Sequence, residues 1–271
     1  MKAIKRIYLS IILIFLYAPI ATLIAFSFNE SRSRGVWGGF SLKWYESLFQ
    51  NREILRALNN TMLIAAISAL AATAIGTAAA LGVNSMKKKP RKIFLAISNI
   101  PVLNPEIVTG VSLMLFFLFT ARLMGRGGLG FVTLLLAHIT FNIPYVMLSV
   151  LPKIRALDSS VYEAARDLGA TSFTAFWKVV FPQLLPGVVT GFIFAFTLSL
   201  DDFVISFFTR GAGVSTLSIY IYTSAARRGV NPEINALSTL MFVVLLLLLF
   251  VINWRDAREL KKNIRNRRKD V

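Results

Sequence analysis

The chain has 271 residues, 56% of them hydrophobic, a mean hydropathy of +0.65 and several apolar runs longer than the roughly 20 residues a bilayer crossing needs. Cysteine is absent, which excludes a disulfide framework, a thiolate metal site and a cysteine nucleophile, and one histidine without an HExxH pattern gives no basis for a catalytic metal. The net charge of +17 lies in short basic clusters beside the apolar runs, where it anchors and orients helices, so it points to membrane topology and not to nucleic acid.

The hydrophobic pattern predicts an all-α membrane protein with six spans, at about residues 7–28, 61–86, 93–121, 129–151, 184–209 and 236–254, in one domain covering 1–271. The first run follows Met-Lys-Ala-Ile-Lys-Arg but is longer than a signal-peptide core and has no clear small-x-small cleavage site, so it is expected to be retained. Lysine and arginine number 3, 5, 4 and 8 in the N-terminus, the segment from Lys87 to Lys92, the segment from Lys153 to Lys178 and the tail from Arg255. The alternate segments hold 5, 2 and 3. This imbalance puts both termini in the cytoplasm.

The loop from Asn29 to Asn60 is then external, with Trp37, Trp44 and Tyr45 expected mostly at the lipid interface. In the third span, Asn104-Pro105 suits a helix start with Asn104 as cap and Pro105 as first residue, so that span is expected to be broken just before Glu106, in the cytoplasmic half of the bilayer. His138 and Asn142, one turn apart on the fourth span, are read as interhelical hydrogen-bond formers.

Between the fourth and fifth spans, residues 158–182 read as two short helices that project into the cytoplasm. Ser160 and Glu163 have capping-box spacing, Gly169 suits a left-handed turn, and a second helix starting after Thr171 or Ser172 is expected to stop at Pro182. In the fifth span, Gly191, Ala195, Ser199, Asp202, Ser206 and Thr209 fall on one small and polar stripe. Carboxylates are costly in lipid, so Glu106, Asp201 and Asp202 are candidate substrate-pathway residues, with Asp202 on the stripe and farther out than Glu106. The competing reading of the stripe is close helix packing. Phe203, Phe207, Tyr220 and Tyr222 are candidate cation-π faces for ammonium groups, although in a chain with 22 phenylalanines most aromatics simply face lipid or core. The basic tail is read as a solvated stop beside an anionic leaflet and carries no site.

Glu163-Ala164-Ala165, three residues, Gly169, nine residues and Val179-Val180-Phe181-Pro182 resembles the EAA loop of ABC importer permeases, with valine and phenylalanine where the family has isoleucine and leucine. Phe28-Asn29-Glu30-Ser31-Arg32, Ser41-Leu-Lys-Trp44-Tyr45, His138-Ile-Thr-Phe-Asn-Ile-Pro144 and Ser199-Leu-Asp201-Asp202-Phe203 are similar to segments of the spermidine/putrescine permeases, of the second permease type. The resemblance implies a non-catalytic subunit of an ATP-driven importer in the bacterial inner membrane, moving polyamines inward by alternating access. It implies that Glu163, Ala164, Ala165 and Gly169 couple to an ATPase dimer, and that a second permease chain and an external binding protein, periplasmic or lipid-anchored, complete the assembly. The chain has no GxxxxGK[ST] phosphate loop, so ATP and magnesium are expected on the partner and no cofactor on this chain. An importer of another cation such as iron, an ion-coupled secondary transporter and a membrane anchoring protein remain as alternatives.

Overall fold

The computed structural model describes residues 2–32, 35–103, 105–125, 127–229, 231–243 and 246–247. Among these the regular structure is helical, with one isolated antiparallel bridge between Asn29 and Phe40. The helices are α1 (Lys2–Ser27), α2 (Lys43–Gln50), α3 (Arg52–Ser85), α4 (Lys88–Ser98), α5 (Ile100–Leu103), α6 (Glu106–Leu123), α7 (Phe131–Arg155), α8 (Ser159–Asp167), α9 (Ser172–Ala175), a π turn (Phe176–Val180), α10 (Phe181–Asp201), α11 (Val204–Thr209) and α12 (Leu217–Arg228), and residues 232–243 are helical again. Five stretches are long and apolar enough to cross a membrane: Lys5–Ser27, Arg52–Ser85, Glu106–Leu123, Phe131–Arg155 and Ser172–Asp201. The sixth expected span starts within residues 232–243, and its remainder, like the basic tail, lies outside the described residues.

Contacts divide the chain into two compact units, Met1–Leu55 with Thr223–Val271 and Arg56–Tyr222. In the first unit, α1 is apolar on nearly all sides, with Tyr8, Ile14 and Phe15 exposed, as suits a helix surrounded by lipid. The loop after it is organised by Asn29, whose Oδ1 accepts from the backbone N–H of Ser31 (3.2 Å) and Gly38 (2.8 Å) while Nδ2 donates to the Val36 carbonyl (2.9 Å). Trp44 donates from Nε1 to the Asn29 carbonyl at 2.6 Å, and Tyr45 Oη pairs with Ser27 Oγ at 2.7 Å. Trp44 is therefore 6% exposed and clamps the loop, whereas the interfacial role expected for these aromatics fits only Trp37, which is 56% exposed. Glu233, also buried, accepts hydrogen bonds from Ser47, Asn51 (2.8 Å) and Asn231 (3.0 Å), so α2 and the start of the last described helix share one carboxylate.

In the second unit, α7 packs closely against α10 and α3, and small residues explain why. A Cβ on Gly191 would sit 3.1 Å from Val146 Cγ1, and one on Gly76 of α3 only 2.8 Å from Val146 Cβ. Val146, fully buried, is thus held between two glycines on two other helices. Gly191, Ala195, Ser199, Ser206 and Thr209, five members of the stripe expected to line a path, are all buried. Gly191 packs on Val146, Ser199 accepts from Asn142 and Ser206 meets His138, all on α7. Close packing, the competing reading of that stripe, is what the structure adopts, because lipid gives helices no hydrophobic drive to associate and leaves dispersion at short range as the main attraction.

Gly76→Ala and Gly191→Ala should each lower stability by about 1–3 kcal/mol, the usual cost of overpacking. Gly82→Ala, whose added methyl meets nothing within 4 Å, should be neutral or slightly stabilising. Thermal unfolding of the purified chain in detergent measures all three, and equal midpoints for the three variants would refute the Val146 clasp.

Candidate functional site

Two interruptions in spanning helices meet in the second unit. One separates α5 from α6: Asn104, the expected cap, lies outside the described residues, and Pro105 occupies the cap position with φ −54° and ψ 134°, so the helix begins at Glu106 and not at the proline. The other separates α10 from α11, where Asp202 and Phe203 leave the helix. No proline or glycine marks this second break. A Cβ on Gly110 of α6 would lie 3.1 Å from Phe208 and 3.6 Å from Ile205 Cα, so α6 and α11 run side by side and Glu106, one turn below Gly110, reaches the level of Asp202.

Glu106, Asp201 and Asp202 are accordingly close enough for their charges to interact. The expectation that Glu106 and Asp202 sit at different depths fails, because α10 ends at Asp201 and α6 rises alongside the segment that follows. His138 of α7 faces this level, about 10 Å from the Phe131 end of that helix and about 25 Å from its Arg155 end at 1.5 Å per residue, so the carboxylates lie beside the apolar stretch and not at its ends.

The three acids have different surroundings. Asp202 accepts from the backbone N–H of Ile205 (3.2 Å) and of Ser206 (2.7 Å), which caps α11, and its Oδ2 lies 3.5 Å from His138 Nε2. Its side chain is 4% exposed. His138 Nε2 also makes a 2.9 Å hydrogen bond with Ser206 Oγ, and Ser218 donates to the Asp202 carbonyl at 2.7 Å. Below these, Asn142 Nδ2 donates to Ser199 Oγ (2.7 Å), which meets Ser68 Oγ of α3 (3.1 Å), while Asn142 Oδ1 is buried with no protein partner. Both α7 residues thus act as the interhelical hydrogen-bond formers expected of them.

Asp201 and Glu106, by contrast, are exposed on the protein surface at that depth. Asp202 was the acid expected to face a path on the assumption of a continuous helix. The break turns its carboxylate into the protein and leaves Asp201 outside.

Tyr145 of α7 also lies near Glu106, a neighbour that no local pattern of residues marks. Beside the break, the Phe203 and Tyr222 rings approach to 4.7 Å between centroids and Phe203 and Phe207 to 5.5 Å. The Arg210 guanidinium lies 6.0 Å over Phe207, so the chain's own cation occupies that face.

The loop from Asp158 to Pro182 departs from its expected capping but keeps its turn. Asp158, not Ser160, caps α8, accepting from the Ser160 N–H at 3.0 Å, and this bond holds the Asp158 carboxyl below its ordinary range. A depressed carboxyl supports the cap above its unfolded value and loses it as pH falls through the folded one, so the cap is complete at neutral pH.

Gly169 adopts φ +87°, with Gly169 N–H donating to the Arg166 carbonyl (2.9 Å) and Ala170 N–H to the Ala165 carbonyl (3.1 Å), a Schellman end. Glu163 and Ala164 are exposed, Ala165 is partly covered, and Leu168 is 90% exposed at the tip. Thr171 caps α9, accepting from the Thr174 N–H at 3.2 Å. The second helix does not stop at Pro182, because the π turn changes the bonding pattern just before it and the missing proline N–H falls at the N-terminal edge of α10.

Residues 72–257 match the family model described as binding-protein-dependent transport system inner membrane component. The chain is 39% identical over 254 residues to the putrescine transport system permease protein PotI of Escherichia coli strain K12, covering 93% of this chain and 90% of that protein. It is 37% identical over 244 residues to the spermidine/putrescine transport system permease protein PotC of Haemophilus influenzae, covering 90% and 93%. In fold it is similar to a chain of a bacterial ABC transporter involved in the import of the acidic polysaccharide alginate, with TM-score 0.70 and 20% identity over 95% of this chain and 98% of that one.

Asp202→Ala should destabilise the chain by about 0.5–2 kcal/mol, the value of a lost helix cap, whereas Asp202→Asn, which can still accept from the α11 N–H groups, should lose less. Thermal midpoints of the two purified variants check this, and an alanine variant as stable as the parent would refute a capping role.

Proposed function

Because the chain belongs to the family of binding-protein-dependent transport system inner membrane components, we propose that it is the permease subunit of an ATP-driven importer that moves polyamines inward by alternating access. The close likeness of nearly the whole chain to putrescine and spermidine/putrescine permeases supports the substrate class. The observation that carries the reading is the exposure of Glu106 and Asp201 at the level where two spanning helices are broken. Carboxylates at that depth need water, a partner chain or a cationic substrate, and a polyamine's ammonium groups supply matching charge. Asp202 supports the site indirectly, by holding the bend that presents Asp201. Phe203 and Tyr222 offer ring faces to the same cations.

The chain works with a second permease, an ATPase dimer that binds ATP and magnesium, and an external binding protein, with both termini and α8 in the cytoplasm. Glu163, Ala164, Ala165 and Gly169 belong to the lever that meets the ATPase, and exposed Leu168 gives its tip an apolar contact that the family motif alone does not name. A capped helix ending in a fixed left-handed turn is stiff enough to transmit a push to α10. The chain itself performs no hydrolysis.

Asp201→Asn and Glu106→Gln should each reduce polyamine uptake by the assembled system about ten- to hundred-fold, the equivalent of one lost charge-assisted contact of about 1.5–3 kcal/mol. Capture of labelled putrescine by the external protein should be unchanged. Unimpaired uptake by both variants would remove the carboxylate site.

At the lever, Gly169→Val meets no steric neighbour within 4 Å, so its cost is the left-handed backbone alone, about 1–2 kcal/mol. That strain is confined to a loop outside the bilayer. The variant should insert normally yet lose most substrate-stimulated ATP hydrolysis, and full stimulation would count against the lever.

A further inference from the structure

The segment that leads into the first helix break carries a feature that transport does not use. Lys87, Lys88, Lys89, Arg91 and Lys92 place five cations in six positions, and no acid occurs from residue 54 to residue 105 to balance them. Among the described residues, the one acid–base contact within 4.0 Å is between His138 and Asp202, so none of these cations has an acidic partner there. Lys87, Lys88, Lys89 and Lys92 are exposed, and α4 buries none of its residues fully.

The helix is attached on one side. Leu95 packs against the core cluster that includes Val83, Ile154 and Leu184, which sets α4 at the same end of the second unit as the start of the α8 loop. At 100° per residue, Ile93, Phe94 and Ile97 all point away from Leu95, the two isoleucines opposite it and Phe94 to one side. They are 62%, 38% and 61% exposed. The sequence of features along the axis is therefore a cluster of long cationic side chains at one end and an unpartnered apolar face at the other. Lysine stems can lie along apolar surface while their ammonium groups reach outward.

We propose that α4 is an interfacial helix that binds anionic phospholipid, with Lys88, Lys89 and Lys92 on the headgroup phosphates and Ile93, Phe94 and Ile97 among the acyl chains. Charge complementarity selects this occupant: a zwitterionic lipid would satisfy the apolar face but leave the cluster uncompensated, and a soluble anion would satisfy the cluster but leave the apolar face in water. Because α5 and the break before Glu106 follow α4 within a few residues, the lipid contact also fixes where that break begins. The proposal rests on the membrane location of the fold and is independent of the substrate assignment.

The test uses the full chain purified in an uncharged detergent and titrated with phosphatidylglycerol or phosphatidylcholine, with thermal unfolding as the readout. Phosphatidylglycerol should raise the midpoint by several degrees more than phosphatidylcholine. The excess should shrink at least twofold when salt is raised tenfold. Lys88→Gln, Lys89→Gln and Lys92→Gln combined should abolish the excess, whereas Lys261→Gln with Lys262→Gln should retain it. Glycerol phosphate alone should give no shift. Equal midpoints with the two lipids, a salt-independent excess, loss of the excess in the tail variant but not in the α4 variant, or a full shift with glycerol phosphate would each overturn the proposal. If the triple variant does not fold, the salt series on the unmodified chain decides.

Discussion

Hydrocarbon offers no hydrogen bonds, and this one constraint governs how the chain can be interrupted inside a membrane. A spanning helix that stops exposes backbone N–H and carbonyl groups which must find partners within the protein. At the α10–α11 break the partner is Asp202, which takes the Ile205 and Ser206 N–H groups. Its carboxylate in turn needs close cover, supplied by His138 at 3.5 Å, by Ser206 and by the packed face of α7. The arrangement of α7 against α10 then follows from the need to bury that polar cluster. Glycine and alanine along the shared face allow the approach, and Val146 fills the space between them.

The same constraint separates two neighbouring aspartates into different tasks. Asp202 is spent on structure, whereas Asp201, one residue earlier and still on α10, is left with an exposed carboxylate beside Glu106. A protein that only needed stability would have little use for either exposed acid at this depth. The cluster is best understood as a rigid turn that carries a charged face, in which the buried member sets the position of the exposed ones.

Legibility in the sequence followed how local each cause was. The apolar runs and the Asn104-Pro105 interruption announce themselves within a few residues, and Gly169 does so too, because a glycine after Leu168 answers to the backbone of its own turn. The break at Asp202 does not, since no residue there disfavours a helix strongly and the capping carboxylate is covered by His138 from another element. Reading a continuous helix put Asp202 on the wrong side. Trp44 was misjudged for a similar reason: an aromatic near a membrane boundary suits lipid, and only the folded loop brings the Asn29 carbonyl to its indole N–H. Pro182 shows the opposite error, in which a correct local rule about proline was overridden by the wider turn before it.

That wider turn has a consequence for how this lever can change over evolutionary time. A π turn holds one residue more than the α-helical path it replaces. Phe176–Val180 therefore works as a phase setting between the α8 knob and α10. Losing one residue there would let the segment close into an α-helix with the knob left nearly in phase, whereas losing a second would swing it about 100° around the α10 axis. The path from Gly169 to Pro182 thus carries one residue of slack and no more, like a gear train with a single spare tooth that keeps time after losing one and slips after losing the next.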